Sequence, residues 1–373
     1  MDKNKRLTVW LPVIIAASIA LGIFIGNHYL SISQGKKRSY SSGNKINAIL
    51  DIIDEQYVDT VSMSKLVEST IPKIFSELDP HSVYIPAEDA SVVNEELEGS
   101  FSGIGVSFNM QTDTILVISV ISGGPAEKAG LLPFDRIISI NDSIFSGKKK
   151  NQGEIMKTLR GAKNSTVKLG VQRGNSPELL YFDVTRGDVP VNSVDVSYEA
   201  AKGIGYIKVS KFARNTYNEF ITAIAKLKQA GCTSFVIDLR GNTGGYMDAA
   251  INMINEFMPE GRLIVYTEGK SFPRSDVYAN GTGTCKDAPI VVLTDEISAS
   301  ASEIFSGAIQ DNDRGTIIGR RTYGKGLVQT QMSLSDGSEM RLTIARYYTP
   351  SGRCIQKKYE MGNTDAYDQD IYN

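Results

Sequence analysis

The chain has 373 residues, 41% of them hydrophobic and 22% charged, which fits a folded protein of two or three domains and excludes wholesale disorder. Its 40 basic and 42 acidic side chains nearly cancel, to a formal charge of −2, so no basic field awaits a phosphate backbone and nucleic-acid binding is disfavoured. No CxxC pair, Cys/His cluster or HExxH helix occurs, which leaves a bound metal without support.

Lys3, Lys5 and Arg6 precede an uncharged run from Leu7 to Gly26, long enough to cross a bilayer as one helix. A cleaved signal peptide is the rival reading, but the run is long for one and Ser31-Ile32-Ser33 is a marginal cleavage site. The favoured expectation is an uncleaved single-pass anchor over residues 1–30 in the cell membrane, with the body in the periplasm or otherwise outside the cytoplasm. Lys36, Lys37 and Arg38 on the far side weaken any argument about orientation.

Residues 31–43 read as a polar linker. Over 44–98, Ile46, Ile49, Leu50, Ile53 and Tyr57 recur at helical spacing, and a second stripe runs from Leu66 through Leu78. Asp79-Pro80 stops it, and a short acidic helix follows near Glu88–Leu97. This helical module suits packing or dimerisation, and homo-oligomerisation stays open. From 99 to 187 short β-rich runs take over: Ile104–Phe108, Thr114–Val120, Arg136–Ile140, Thr166–Val171 and Leu179–Val184, with one helix at Gly153–Leu159.

Beyond Asp188 strand and helix alternate. Strands are expected at Gly205–Val209, Ser234–Leu239, Pro289–Leu293 and Thr316–Gly319, and helices at Asn215–Ala230, Met247–Phe257 and Ser302–Gln310. Such alternation predicts a largely parallel sheet covered by helices. Leu327–Met332 and Met340–Tyr348, separated by Asp336-Gly337, read as a hairpin.

In an open α/β sheet the loops leaving the C-terminal strand ends build the site. Two such loops stand out: Asp238-Leu239-Arg240-Gly241-Asn242-Thr243-Gly244-Gly245, and Ser298-Ala299-Ser300-Ala301-Ser302-Glu303. A serine opening a helix lies beside free N–H groups suited to an oxyanion. The plain alternative is that Ser300 caps the helix, because Ser300-Ala301-Ser302-Glu303 fits a capping box. Spacing does not choose among Ser298, Ser300 and Ser302. Only two histidines are present, His28 beside the apolar run and His81 in the helical module, so a Ser-His-Asp triad is hard to assemble. A lysine serves instead if burial keeps it neutral. Lys325, between Gly324 and Gly326, is the candidate, with Gln329 placed to orient it; an ordinary solvated lysine in a glycine turn is the alternative. Gly319 to Gly326 nearly matches a P-loop, but Gly326 replaces the required Ser or Thr and the sequel looks like a strand.

Taken together, these segments resemble the carboxy-terminal processing proteases, the tail-specific peptidase family, from about Asn44 to about Lys357. The motifs that carry the resemblance are Asp79-Pro80-His81-Ser82 with Tyr84, and Gly99-Ser100-Phe101-Ser102-Gly103-Ile104-Gly105-Val106. Others are Pro125-Ala126 with Ala129-Gly130-Leu131, Asp238-Leu239-Arg240 through Gly244-Gly245, Ser298 through Ile304, Gly324-Lys325-Gly326 with Gln329, and Tyr348-Thr349-Pro350-Ser351-Gly352-Arg353. The resemblance implies a multidomain α+β and α/β chain with a crotonase/ClpP-like α/β protease core over 188–373, shortened at its C-terminal end. An inserted PDZ β-domain would span 99–187. The nucleophile would fall on Ser300, the general base on Lys325 and its orienting partner on Gln329. The oxyanion hole would be the N–H of Ala301 and one from Gly244 or Gly245. Gly103, Ile104, Gly105 and Val106 would receive a peptide's carboxylate, although Phe134 stands where such domains often carry glycine. No cofactor or metal is implied. The expected substrates are unfolded or extended polypeptides with apolar C-termini, met in the cell envelope. The rival readings are a catalytically silent PDZ scaffold and a crotonase-like acyl-transfer enzyme. For Cys285 and Cys354, a disulfide and buried free thiols are left as alternatives.

Overall fold

The computed structural model describes residues 16–23, 42–111, 114–146, 152–362 and 367. The chain divides into two units, Met1–Thr70 and Ile71–Asn373. The first holds helix α1, described over 16–23, helix α2 (Ser42–Gln56) and the opening turns of α3 (Met63–Ser76). Among the described residues no helix is long and apolar enough to cross a membrane, so the expected single-pass anchor and the periplasmic placement built on it are withdrawn. The rest of the Leu7–Gly26 run, and His28, lie outside the described residues. In α2 the helical spacing is as expected, yet Ile46, Ile49 and Ile52 remain exposed.

The second unit opens with β1 (Val83–Ile85) and α4 (Ala87–Glu98), which ends at Gly99 in the left-handed conformation. A neck follows: β2 (Ser100–Gly103) pairs antiparallel with β9 (Gly187–Pro190), so the β-domain leaves and rejoins the chain at one place. Between them lie β3 (Val106–Gln111), β4 (Thr114–Val120), α5 (Pro125–Ala129), β5 (Arg136–Ile140), β6 (Ser143–Ile144), α6 (Gln152–Leu159), β7 (Thr166–Gln172) and β8 (Leu180–Thr185). The antiparallel sheet runs β3-β4-β5-β7-β8, leaving β3 at an edge. Ile115, Val117, Ile137, Ile155, Val167 and Leu169 fill its interior. The Phe134 backbone takes the left-handed conformation, φ 69°, which glycine adopts without strain. The turn is nonetheless closed by Phe134 N–H donating to Val117 O at 2.7 Å and by the buried Asp135, which binds Arg173 at 2.8 Å through both of its oxygens.

The remaining chain forms β10 (Val194–Ala201), β11 (Ile204–Val209), α7 (Thr216–Gln229), β12 (Ser234–Asp238), α8 (Met247–Asn255), β13 (Leu263–Glu268) and β14 (Ser275–Tyr278). It continues with β15 (Ile290–Thr294), α9 (Ala301–Asp311), β16 (Thr316–Gly319), β17 (Leu327–Ser333) and β18 (Glu339–Tyr348). One sheet has the order β10-β11-β12-β15-β16, with β11 through β16 parallel and β10 added antiparallel. A second sheet, β1-β18-β13-β14, carries β17 on β18 as the expected hairpin. Phe212, Phe220, Phe235, Phe257 and Phe305 are fully or almost fully buried in the core beneath α7, α8 and α9. Lys325 leads into strand β17 rather than a helix, which removes the P-loop likeness. All three cysteines are free thiols: Cys232 and Cys285 are buried and Cys354 is exposed, so the Cys285–Cys354 pair does not form.

Candidate active site

β12 and β15 are parallel neighbours, with Asp238 in register with Leu293, so the loops that leave them emerge side by side. They are stitched together. Ser298, fully buried, donates its hydroxyl to Leu239 O at 2.8 Å; Ser302, also buried, donates to Asn242 O at 2.9 Å; and Ala299 N–H donates to Asn242 O at 3.0 Å. Two of the three candidate serines are thus spent on structure. Ser300 is the half-buried one that lines a cleft of about 970 Å³.

Ser300 is the N-cap of α9, with φ 55° and ψ −112°. A non-glycine residue held there stores conformational strain, the kind found where a side chain is aimed out of a strand-to-helix turn. Its backbone N–H donates to Glu303 Oε2 at 2.9 Å, as the capping box in the sequence expects. Gly244 packs against it: a Cβ on Gly244 would lie 2.7 Å from Ser300 Cβ, and one on Gly245 would lie 2.1 Å from Phe212 O. Both glycines have positive φ, 102° and 139°, so neither position accepts a larger residue without movement. The Gly244 N–H is occupied by Asn242 Oδ1 at 2.8 Å. For the N–H groups of Gly245 and Ala301, no acceptor is found among the described residues.

Lys325 lines the same cleft. Its ammonium donates to Gln329 Oε1 at 3.0 Å, and no hydrogen bond joins it to Ser300. Burial holds its pKa below the usual lysine range, and the positive charge of Arg341 adds to the shift against the pull of Asp79 and Glu303. The flanking glycines do what small residues permit: Gly326 would place a Cβ 2.5 Å from Gln356 N, and Gly324 O accepts from Lys357 N–H at 2.9 Å. The backbone at Gln356 and Lys357 therefore packs against the lysine loop.

Glu303 joins the two halves. Only 1% exposed, its Oε1 accepts from Thr322 Oγ1 and from Gly324 N–H, both at 2.7 Å; its Oε2 accepts from Lys325 N–H and Ser300 N–H, both at 2.9 Å. Burial pushes the carboxyl pKa up while these donors oppose it. Tyr347, fully buried, adds a second tie: its hydroxyl lies between Ser300 O, at 3.0 Å, and Lys325 O. Glu303 was visible in the sequence only as a capping partner; its hold on the lysine loop depends on residues about 20 positions away.

His81 requires a correction. It is not remote from the α/β core: its carbonyl accepts from Gln329 Nε2, and its ring nitrogen Nε2 is bonded to Tyr367 OH at 2.9 Å. Burial and the nearby Lys325 lower its pKa to about 4, leaving the ring neutral near pH 7. Asp79 holds this turn by accepting from His81 N–H, Ser82 N–H and Thr343 Oγ1, each at 3.0 Å. Gln329 is therefore fixed from one side by Lys325 and from the other by the His81 backbone.

In the β-domain, the Gly103 to Val106 loop joins β2 to β3. Ile104 is buried with its carbonyl accepting from Ala126 N–H at 2.7 Å, and Gly105 has φ 77° with its carbonyl accepting from Ile121 N–H at 3.0 Å. Both carbonyls are satisfied internally, at the end of the unpaired edge of β3. Phe101 and Arg160, from the neck and from the end of α6, reach the cleft that holds Ser300.

Two family models match: peptidase family S41 over residues 203–365 and a PDZ domain over residues 102–195. The carboxy-terminal processing protease CtpB of Bacillus subtilis is 35% identical over 318 residues, 84% of this chain and 66% of that protein. A probable CtpA-like serine protease of Staphylococcus aureus is 33% identical over 365 residues, 96% of this chain and 72% of that protein. Among solved structures, a photosystem II D1 C-terminal processing protease is 28% identical with a TM-score of 0.47, covering 85% of this chain and 91% of that one. The chain thus spans about two thirds of the length of the first of these curated relatives. With a serine and a half-buried lysine on one cleft and these likenesses along nearly its whole length, the chain belongs to peptidase family S41, the carboxy-terminal processing serine proteases, and carries a PDZ domain.

Proposed function

We propose that the chain is a serine endopeptidase that cleaves unfolded or extended polypeptides near apolar C-terminal tails by a Ser-Lys mechanism. Ser300 Oγ attacks the peptide carbonyl while Lys325 Nζ, neutral, accepts its proton. The protonated amine then delivers that proton to the departing amine nitrogen, and water, deprotonated by the same lysine, hydrolyses the ester on Ser300. Gln329 holds the amine in line. The N–H groups of Ala301 and Gly245 stabilise the oxyanion, a role left to Gly245 because the Gly244 N–H is already committed. The amine rests on Gln329, so a small rotation toward Ser300 accompanies substrate entry.

Gly103, Ile104, Gly105 and Val106 receive the tail's carboxylate, and the peptide adds as a strand to the free edge of β3. The core is read as crotonase/ClpP-like. The observation that carries this reading is a half-buried lysine and a strained serine whose backbones share one carboxylate. The test is cleavage of an unfolded protein with an apolar tail by wild type, Ser300→Ala and Lys325→Ala, with tail binding measured in parallel. Loss of cleavage in both variants with tail binding retained is expected. A wild type that binds tails but neither cleaves nor reacts with a fluorophosphonate would instead identify a scaffold.

A further inference from the structure

The cleft that holds Ser300 is not neutral. Arg160 is matched there by Glu95 at 3.1 Å, and Asp248 turns one oxygen to Ala249 N–H at 3.0 Å. Arg341 also lines it and, among the described residues, hydrogen-bonds amides, Gln331 Oε1 at 3.2 Å and Asn94 Oδ1 at 3.4 Å. Lys211 is the remaining cation. Half-buried, it lines the cleft, and among the described residues its ammonium has no hydrogen-bond or ion-pair partner. Of the four cations that line the cleft, Arg160, Lys325 and Arg341 each have a side-chain partner and Lys211 has none among the described residues, so its ammonium is available to an anion that enters.

The backbone next to Lys211 fixes where it stands. Phe212 N–H donates to Gly244 O at 2.9 Å, and Phe212 O accepts from Tyr246 N–H at 2.8 Å, so the residue before Phe212 lies directly beside the glycine loop. That loop packs on Ser300. A substrate strand passing Ser300 runs within the span of a lysine side chain from this position.

We infer that Lys211 is a specificity-determining residue that pairs with a carboxylate of the substrate polypeptide a few residues from the bond cleaved. The inference rests on the protease reading for the word substrate, but not for binding. The carboxylate comes either from an acidic side chain or from the free C-terminus of a short tail, and both present the same anion to the ammonium.

Binding is measured on the Ser300→Ala protein, so it reads out whether or not the chain cleaves. The probes are fluorescent peptides with one Glu or Gln scanned through the sequence, each with a free or an amidated C-terminus. Peptides with a suitably placed carboxylate are expected to bind about fivefold more tightly at low salt, an advantage that shrinks as salt is added. In Ser300→Ala/Lys211→Met the advantage falls below about twofold, and with Lys211→Glu it reverses. Loss of the advantage on Glu→Gln exchange identifies a side-chain carboxylate; loss on amidation identifies the terminus. In the Ser300-containing protein the preference appears in KM and little in kcat. Equal binding of every carboxylate and amide pair, or a preference that survives Lys211→Met, overturns the inference. A retained carboxylate preference in a protein that never cleaves overturns the protease reading alone.

Discussion

Glu303→Gln is the most exposing single change, because it keeps shape and removes charge. The carboxylate accepts four hydrogen bonds, from Thr322, Gly324, Lys325 and Ser300, in a site only 1% exposed. An amide offers one acceptor oxygen and turns an NH₂ toward the other donors, so two of these bonds are lost and N–H faces N–H. Hydrogen bonds to a charged group are worth about 1.5–3 kcal/mol each, and relief of the buried charge offsets part of the loss, leaving a net destabilisation of about 2–4 kcal/mol. The lost bonds belong to the backbones of the proposed nucleophile and base, so on that reading chemistry suffers even where the protein stays folded. Urea unfolding followed by circular dichroism measures the first effect. Labelling by a fluorophosphonate well below the unfolding midpoint measures the second, with a drop of at least about tenfold expected, the equivalent of 1.4 kcal/mol in the barrier. Glu303→Asp, which keeps the charge but shortens the reach, recovers part of the stability and little of the labelling rate. A Gln variant within about 1 kcal/mol of wild type that labels at the wild-type rate would refute the reasoning.

Three further outcomes follow. The labelling rate of Ser300 rises with pH through the pKa of Lys325, with its knee below the usual lysine range, and Arg341→Gln moves that knee to higher pH because a charge that lowers the pKa is gone; a profile unmoved by the change counts against Lys325 as base. The same shift acts on stability. The folded amine binds its proton more weakly than the unfolded one, so this group's contribution is unfavourable at low pH and stability rises with pH between the two pKa values. Gly245→Ala drives a Cβ against Phe212 O at 2.1 Å and is expected to cost on the order of 1–3 kcal/mol and to abolish labelling; normal labelling would dismiss Gly245 as an oxyanion donor. Phe134→Gly removes left-handed strain of about 1–2 kcal/mol at the cost of about 0.5–1 kcal/mol in unfolded-chain entropy, so the urea midpoint should stay level or rise slightly. Phe134 is 73% exposed and little packing is lost; a clear fall in midpoint would show that its ring contributes to stability.

Local pattern carried much of the fold. The strands Thr114–Val120, Arg136–Ile140 and Thr316–Gly319 fall at the bounds their alternation predicts, and α9 and the β17–β18 hairpin lie within a residue or two of expectation. The strands β13, β14 and β10 are not among those expected, although Leu263–Tyr266 is a β-rich run and Val194, Val196 and Tyr198 alternate with polar residues. Ser275–Tyr278 is short and half polar, and it becomes a strand because β13 completes its hydrogen bonds.

The sequence by itself determined which residue types meet on the two loops after β12 and β15, because β-α alternation dictates that such loops adjoin. It left three serines equivalent and set His81 apart, and only the folded chain separated them. Ser298 and Ser302 lose their hydroxyls to backbone carbonyls some 60 residues away, and Ser300 alone keeps a face on the cleft. The fate of Lys325 was likewise decided in three dimensions. A lysine between glycines is solvated by default; here it is half-buried, its loop packed against the backbone at Gln356 and Lys357, while Gln329, held by the His81 carbonyl, fixes the direction of the amine. Desolvation is a property of everything packed around a charge, and no stretch of local sequence encodes it.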